Sequence, residues 1–339
     1  MQNFVDPAIL FFVFGVLAGA LRSNLEIPKS IAKFLSLYLL MALGLKGGFA
    51  LAQSGFTATI ALSLGAALLM AFIVPTIGYA FLKNRVSRFD AAAVAAAYGS
   101  VSAVTFVTAM QYLDSAGLEP GGHMAVAMVI MESPAIIMAV LLASSIRHMQ
   151  GLATASGTPR SAGAAAAPAI AAAPPSLGKI LHESFTDGAH LLLLGSMAVG
   201  FISGEAGKTM MQPFSGDLFK GMLAFFLLDM GLMVAKNFRD AVKASPALIG
   251  YAAVGPSVHA GIALALSMLL GLPVADAALL MVLSASASYI VVPAVLRYAI
   301  PEANPAIYFG LSLGVTFPIN ILIGIPLYTA MAERFIAAG

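Results

Sequence analysis

Small hydroxyl side chains interrupt two long apolar stretches of this chain, and their types and spacing suggest ligand chemistry. The residues concerned are Ser100, Ser102 and Thr105 in the first stretch and, on either side of Ala287, Ser286 and Ser288 in the second. Hydroxyls and the free N–H groups at the start of a helix bind small oxyanions, because a helix N-terminus carries about half a positive charge. We therefore predict that the two serine clusters and Ala287 bind a small anion, with Thr105 in an adjacent cation site. The competing interpretation is that small residues let neighbouring helices pack closely.

One carboxylate lies in the middle of an apolar run. Glu132 belongs to MVIMESPAIIM, where an ionisable side chain is costly and is usually functional. Pro134 follows it and frees backbone carbonyls that could coordinate a cation. The equivalent positions in the second half carry Thr316 and, one turn later, Asn320. We predict that these oxygens hold Na⁺; alternatively, Glu132 is a structural acid bonded to a core hydroxyl or a backbone amide.

The other buried polar candidates are less informative. Asp229 lies in an otherwise featureless apolar run, so a packing or interface role is as reasonable as transport. His259 is more typical of a satisfied core histidine than of a proton carrier. The remaining histidines fall at the ends of apolar runs and indicate nothing: His123, His148, His182 and His190. No phosphate-binding loop, HExxH motif or nucleophile elbow is present, so we predict neither an enzyme nor a cofactor.

Elements that could position these residues must lie in a membrane. Of the 339 residues, 60% are hydrophobic and only 9% are charged, whereas a soluble domain carries about 25% charged residues. Apolar runs long enough to cross a bilayer recur along the chain, and a net charge of +2 gives no footprint for nucleic acid. We predict an all-α integral membrane protein with ten transmembrane helices. The predicted spans are 7–22, 31–52, 57–82, 89–113, 122–146, 184–204, 215–236, 244–270, 274–298 and 304–335.

The basic residues predict the orientation of these spans. Thirteen lysines and arginines fall on the side of the odd-numbered loops and four on the other side. Because basic residues concentrate in cytoplasmic loops, both termini should be periplasmic. Residues 148–180, which contain TASGTPRSAGAAAAPAIAAAPPS, should form a flexible cytoplasmic linker.

The two halves of the chain resemble each other. An offset of 186 residues lays Ser100 on Ser286 and Ser102 on Ser288. With five spans in each half, the second copy must enter the membrane from the opposite face, which is the arrangement of an inverted repeat. The predicted units are therefore a first five-helix repeat (1–147), the linker (148–180) and a second five-helix repeat (181–339). Spans 4 and 9 should break at their serine clusters and cross near the midplane.

Several motifs together are similar to those of the SbtA-type sodium-dependent bicarbonate transporters. They are the GSVS cluster, MESPA, GPSVHAG, LRYAIPEANPAIYFG and PINILIGIPLY, and the likeness covers nearly all the chain outside the linker. The resemblance implies a core domain (spans 3–5 and 8–10) that moves against a gate domain (spans 1, 2, 6 and 7), in a homotrimer of the inner membrane. It also implies bicarbonate uptake driven by Na⁺ and regulation by a PII-like cytoplasmic protein.

This chain departs from the family pattern at the second serine cluster. The family's Ser-Ser-Ser-Asp is replaced by Ser286, Ala287, Ser288 and Tyr289, so a phenol stands where a carboxylate is expected. The charge in the middle of the fifth span is kept by Glu132. Two other functions stay open: transport of a small organic acid, and an anion-sensing membrane receptor that signals through a cytoplasmic partner.

Overall fold

The computed structural model describes residues 6–336 except 56, 156–187, 243, 290, 291, 293, 294, 297 and 298. Within these residues the chain is helical and contains no strand. The helices are α1 (Pro7–Ala20), α2 (Lys29–Ser54), α3 (Ala58–Leu82), α4 (Arg88–Gly99), α5 (Ala103–Ser115), α6 (Met124–Ala155), α7 (Gly188–Gln212), α8 (Phe219–Val242), α9 (Pro246–Leu270), α10 (Val274–Ala285) and α11 (Pro305–Ile336).

Seven of the described helical segments are long and apolar enough to cross a membrane. One of them runs from Gly188 to Phe238 and covers two of the spans predicted from sequence. It is interrupted by Gly204, whose φ of 53° and ψ of −142° are not helical, and by a π-helical turn at Pro213–Asp217. The shorter apolar helices α1 and α10 complete the set. The molecule is thus a multi-pass, all-helical membrane protein.

Close glycine contacts hold one group of helices together. A Cβ atom at Gly15 or Gly231 would collide with the backbone of the other helix in the α1–α8 pair. Gly48 and Gly200 make the same kind of approach between α2 and α7. Helices associate closely in a bilayer where small residues let their backbones meet. The glycines thus define two close pairs, α1 with α8 and α2 with α7, and α2 also packs on α8; we call these four helices the first group.

The second group surrounds the two serine clusters. In it α3 packs on α4 and α6, and α9 packs on α10. The helices that lead into the clusters, α4 and α10, have 12 residues each, and α3 and α9 have 25 each. From Ala91 to Gly99 and from Ala275 to Ala285, every residue is buried.

Helix α6 is longer than the sequence predicted. It continues past residue 147 to Ala155, because the run from His148 to Ala155 contains no proline and only one glycine. The first residues of the predicted linker are therefore helical. The rest of that linker, from residue 156 onward, lies outside the described residues.

The last helix, α11, changes its winding twice. Ser312–Thr316 and Asn320–Gly324 form π-helical turns on either side of a short α-helical piece that contains Pro318. A π turn loosens the i to i+4 ladder and re-aims the side chains within it, and such turns are frequent at functional sites. Thr316 and Asn320 both lie in these turns.

Candidate transport site at the crossing of two interrupted helices

The first interruption lies where the sequence predicted it, between α4 and α5. Ser100 ends α4 in an extended conformation, with φ of −94° and ψ of 174°. Ser102 then begins α5, and its hydroxyl accepts a hydrogen bond from the Thr105 N–H at 3.2 Å. A serine at this position satisfies one of the N–H groups that the first turn of a helix leaves unpaired.

The second interruption has the same local geometry. Ser286 ends α10 with φ of −85° and ψ of 169°, close to the values at Ser100. The chain stays non-helical through Ala287 and Ser288 and bends at Tyr289. Beyond the bend, the described residues Val292 and Leu296 are helical again.

Two backbone N–H groups link the interruptions to each other. The Ser102 N–H donates to the Ser286 hydroxyl at 3.0 Å, and the Ser288 N–H donates to the Ala97 carbonyl at 2.8 Å. The Ser286 hydroxyl in turn donates to the Leu283 carbonyl at 2.8 Å. Unpaired backbone amides are expensive inside a bilayer, so each interruption satisfies part of what the other leaves open.

A small cavity of about 80 Å³ opens beside this crossing. Ser102, Ser288 and Tyr289 line it from the interruptions, Glu132 lines it from α6, and Ser36 and Leu40 of α2 lie on the opposite side. One water occupies about 30 Å³ of liquid, so the space suits a molecule of a few non-hydrogen atoms. The structure thus brings three of the predicted site residues, Ser102, Ser288 and Glu132, to one cavity.

The remaining predicted residues lie near the crossing but do not line the cavity. Those residues are Ser100, Thr105, Ser286, Ala287, Thr316 and Asn320, all of which the structure describes. Ser286 is committed to the link between the interruptions. The Ser100 hydroxyl is buried and has no hydrogen-bond partner among the described residues.

Thr316 and Asn320 support the crossing from the α11 side. Thr316 donates to the Ala252 carbonyl at 2.8 Å and receives the Tyr98 hydroxyl at 2.6 Å. Asn320 donates through Nδ2 to the Ala285 carbonyl, the last of α10, at 2.7 Å. Its Oδ1 atom is buried without a hydrogen-bond partner in the described part of the chain. An amide oxygen of this kind is a suitable ligand for a hard cation.

Glu132 has a partner that the sequence analysis missed, His190. Its Nε2 contacts Glu132 Oε2, and both side chains are almost fully buried. His190 falls in the first turn of α7 and also lines the cavity. The contact therefore joins α6, in the helix group around the interruptions, to α7, in the glycine-packed group. A histidine at the start of an apolar helix was the only available signal, and it is a weak one.

Two other polar candidates, His259 and Asp229, lie away from the cavity. His259 is buried in α9 with its ring edge-on to Tyr251 at 5.9 Å. Asp229 is buried on α8. Tyr289, which does line the cavity, directs its hydroxyl to Met230 Sδ at 3.7 Å and packs on Phe317. In the described residues, no group of three or more His, Cys, Asp or Glu side chains could hold a metal ion.

Comparison with known proteins agrees with the resemblance noted in the sequence. The family model described as the Na⁺-dependent bicarbonate transporter superfamily matches residues 7–333. No curated protein matches the chain. The family match spans both serine clusters, Glu132 and α11 as far as residue 333, so it includes every residue of the crossing. The chain therefore belongs to the Na⁺-dependent bicarbonate transporter superfamily.

Proposed function

We propose that this protein imports bicarbonate together with Na⁺ by alternating access, with the anion held in the cavity at the crossing. The observation that carries the proposal is the convergence of Ser102, Ser288 and Glu132 on one small buried cavity in a member of this superfamily. The hydroxyls of Ser102 and Ser288 face the anion, because the backbone N–H groups of these two residues are already used in the links between the interruptions. Ser286 and Ala287 hold the second interruption in the extended shape that the site needs.

The size of the cavity favours a small anion. A space of about 80 Å³ accommodates bicarbonate more readily than an organic acid with an extended carbon chain. A receptor would bind the same anion without exchanging it. The two activities differ in counterflow, since only a transporter moves labelled anion against unlabelled anion.

The coupling cation requires oxygen ligands near the anion. Glu132 supplies a carboxylate at the cavity, and Asn320 supplies a buried amide oxygen with no partner among the described residues. Thr105 and Thr316 contribute hydroxyl or carbonyl oxygens around the crossing. Because Tyr289 stands in place of a family carboxylate, Glu132 carries the negative charge of this site.

The movement follows from the two helix groups. We assign α1, α2, α7 and α8 to the gate and the other helices to the core, as the resemblance implies. The equal lengths of α4 and α10 and of α3 and α9, together with the matching backbone at Ser100 and Ser286, support two inverted repeats. The contact between Glu132 and His190 crosses from core to gate and would break when the two groups slide past each other.

We propose the cellular location, orientation and partners of the protein from its sequence and from the family resemblance. The distribution of basic residues supports an inner-membrane protein with periplasmic termini and residues 148–180 in the cytoplasm. The resemblance supports a homotrimer and a PII-like regulator that reaches that cytoplasmic segment.

Uptake into proteoliposomes tests the proposal. Labelled bicarbonate should accumulate only with an inward Na⁺ gradient, and Ser288→Leu should abolish uptake because its side chain fills the cavity. The control is Ser257→Leu on α9, which changes the same residue type at an exposed position away from the cavity. Uptake without any Na⁺ dependence, or full activity of Ser288→Leu, would contradict the proposed site.

A further inference from the structure

A second, larger cavity lies between α1, α8 and α11 and is mainly apolar. Its volume is about 600 Å³, within the range of about 300–1,000 Å³ typical of small-molecule sites. Phe12 and Val16 of α1, Val234 of α8, and Gly314, Pro318 and Leu322 of α11 contribute to its walls. The three α11 residues are spaced four apart and so form one stripe. We call this cavity the seam groove.

The seam groove opens toward the bilayer. Val13 and Phe238, which line it, are 44% and 51% exposed. On the same outer face of α1, Phe14 and Leu17 are also exposed. In a membrane protein an exposed apolar helix face contacts hydrocarbon, so an acyl chain can enter the groove from the side.

Two basic residues lie together at one end of the seam groove. Gly15 meets Leu228 and Gly231 on α8, and Gly19 meets Leu232 and Ala235, so the two helices run in the same direction. Arg22, just beyond α1, and Lys236, in the last turns of α8, therefore reach the same end. Both are among the basic residues whose distribution predicts the cytoplasmic side.

No acidic side chain within the described groove lining pairs with the charge at this end, although Asp229, buried two turns earlier on α8, interacts electrostatically with Lys236. Arg22 and Lys236 are exposed, and no acidic side chain lines the groove among the described residues. The cytoplasmic leaflet is the one rich in anionic lipids, and basic pockets between helices on that side bind their headgroups. An apolar groove with a doubly basic end is complementary to a molecule with a hydrocarbon tail and a phosphate.

We propose that the seam groove binds one anionic phospholipid of the cytoplasmic leaflet. The phosphate lies between Arg22 and Lys236, and one acyl chain runs along Phe12, Val234 and Pro318. The groove lies where α1 and α8 meet α11, so a bound lipid would also stabilise one arrangement of gate and core. That last consequence rests on the proposed function, whereas lipid binding does not.

Lipid binding to the purified full-length protein, freed of native lipid in detergent, tests the proposal without a transport assay. Native mass spectrometry would compare phosphatidylglycerol with phosphatidylcholine carrying the same acyl chains. We expect the wild type to bind phosphatidylglycerol at least tenfold more tightly. The double variant Arg22→Gln and Lys236→Gln should lose this preference. Leu322→Trp, which fills the groove and keeps both charges, should weaken the binding of both lipids.

The matched control removes two positive charges elsewhere. Lys208 and Lys220 line a different cavity. The double variant Lys208→Gln and Lys220→Gln should therefore keep the preference for phosphatidylglycerol. Equal binding of the two lipids by the wild type, or an equal loss in the control, would overturn the proposal. A second copy of the chain is the alternative occupant of the groove. Because the chain has no cysteine, Val16→Cys introduces a single site at which two copies could crosslink. Crosslinking between copies at Val16→Cys without any lipid preference would show that a second copy covers the groove.

Discussion

Ser100 and Ser286 occupy matching positions in the two interruptions, but among the described residues only the Ser286 hydroxyl is hydrogen-bonded. It accepts from the Ser102 N–H and donates to the Leu283 carbonyl. Ser286→Ala would leave a buried N–H unpaired, which costs about 1–3 kcal/mol. Ser100→Ala removes a hydroxyl with no partner among the described residues and should change the free energy of unfolding by less than about 0.5 kcal/mol. Unfolding in mixed detergent measures both, and equal losses would contradict the described link.

Glu132 is the charged residue of the cavity, and its replacement tests the cation site. Glu132→Gln keeps the shape but removes the charge, so Na⁺ binding should weaken by about 1–3 kcal/mol, which is roughly ten- to hundredfold in affinity. The measurement is the Na⁺ concentration for half-maximal bicarbonate uptake, and the saturation by bicarbonate itself should change less.

The chain contains a matched control for Glu132. Asp276 is also a buried acid beside a histidine, with its Oδ2 3.4 Å from His123 Nε2, and it lies away from the cavity. Asp276→Asn should affect stability but not the Na⁺ concentration for half-maximal uptake. If Glu132→Gln behaves in the same way, Glu132 is structural and its contact with His190 serves packing.

The pairing of α1 with α8 depends on glycine at the helix contact. A Cβ atom at Gly231 would meet the Phe12 carbonyl, whereas one at Gly221, on the same helix, would meet nothing within 4 Å. Gly231→Ala should therefore destabilise the protein by about 1–3 kcal/mol through overpacking, although alanine is the better helix former. Gly221→Ala should be neutral or slightly stabilising. Thermal unfolding in detergent distinguishes the two, and equal melting temperatures would argue against close α1–α8 contact.

Arg147, in the last third of α6, forms hydrogen bonds with the connection that precedes α11. Arg147 donates to both oxygens of Glu302, at 2.8 and 2.7 Å, and to the Ala299 carbonyl at 3.0 Å. The hydrogen bond from Arg147 lowers the pKa of Glu302 below its ordinary value of 4.5. Because the folded-state pKa is the lower one, the stabilisation is fully present above pH 4.5 and is lost as the pH falls through the folded-state pKa.

Glu302→Gln tests the contribution of the Arg147–Glu302 ion pair to stability. The variant should melt at a lower temperature than the wild type at neutral pH, and the difference should shrink in acid below pH 4.5. The effect will be small, because the pair is partly exposed to solvent. A difference that grows as the pH falls would contradict the assignment.

At this scale the sequence predicts the interruptions better than it predicts the supporting helices. Serine favours a helix end because its hydroxyl replaces a backbone hydrogen-bond partner. The clusters around Ser100 and Ser286 therefore predict where the helices are interrupted. The π turns of α11 have no comparable signal, since they depend on how Thr316 and Asn320 meet other helices. The contact of His190 with Glu132 was equally hidden, because it depends on packing between helices from different halves of the chain.

The molecule as a whole has a distinct polar side. Lys46, Lys208 and Lys220, three of the four basic residues predicted outside, line one cavity of about 860 Å³. Their convergence agrees with the counts of basic residues on which the predicted orientation depends. The grouping of helices into two packed sets, by contrast, could not be predicted from composition, because every span is apolar and only the close glycine contacts distinguish the pairs.

Single cysteines test the orientation directly, since the chain has none of its own. Lys208→Cys should react in intact cells with a maleimide that does not cross the inner membrane, whereas Lys83→Cys should react only after permeabilisation. Both lysines are exposed, so access to the reagent and not burial decides the result. The opposite pattern would place both termini in the cytoplasm.

The link between the interruptions also bears on biosynthesis. The Ser102 N–H finds its partner 184 residues later in the chain. At a synthesis rate of about 5–20 residues per second, this partner emerges roughly 10–40 s after Ser102. During that time the first half resides in the membrane with an open backbone group that costs free energy in hydrocarbon. A nascent chain stopped before residue 286 should therefore remain beside the insertion machinery or be degraded, and a complete second half should be needed for its release.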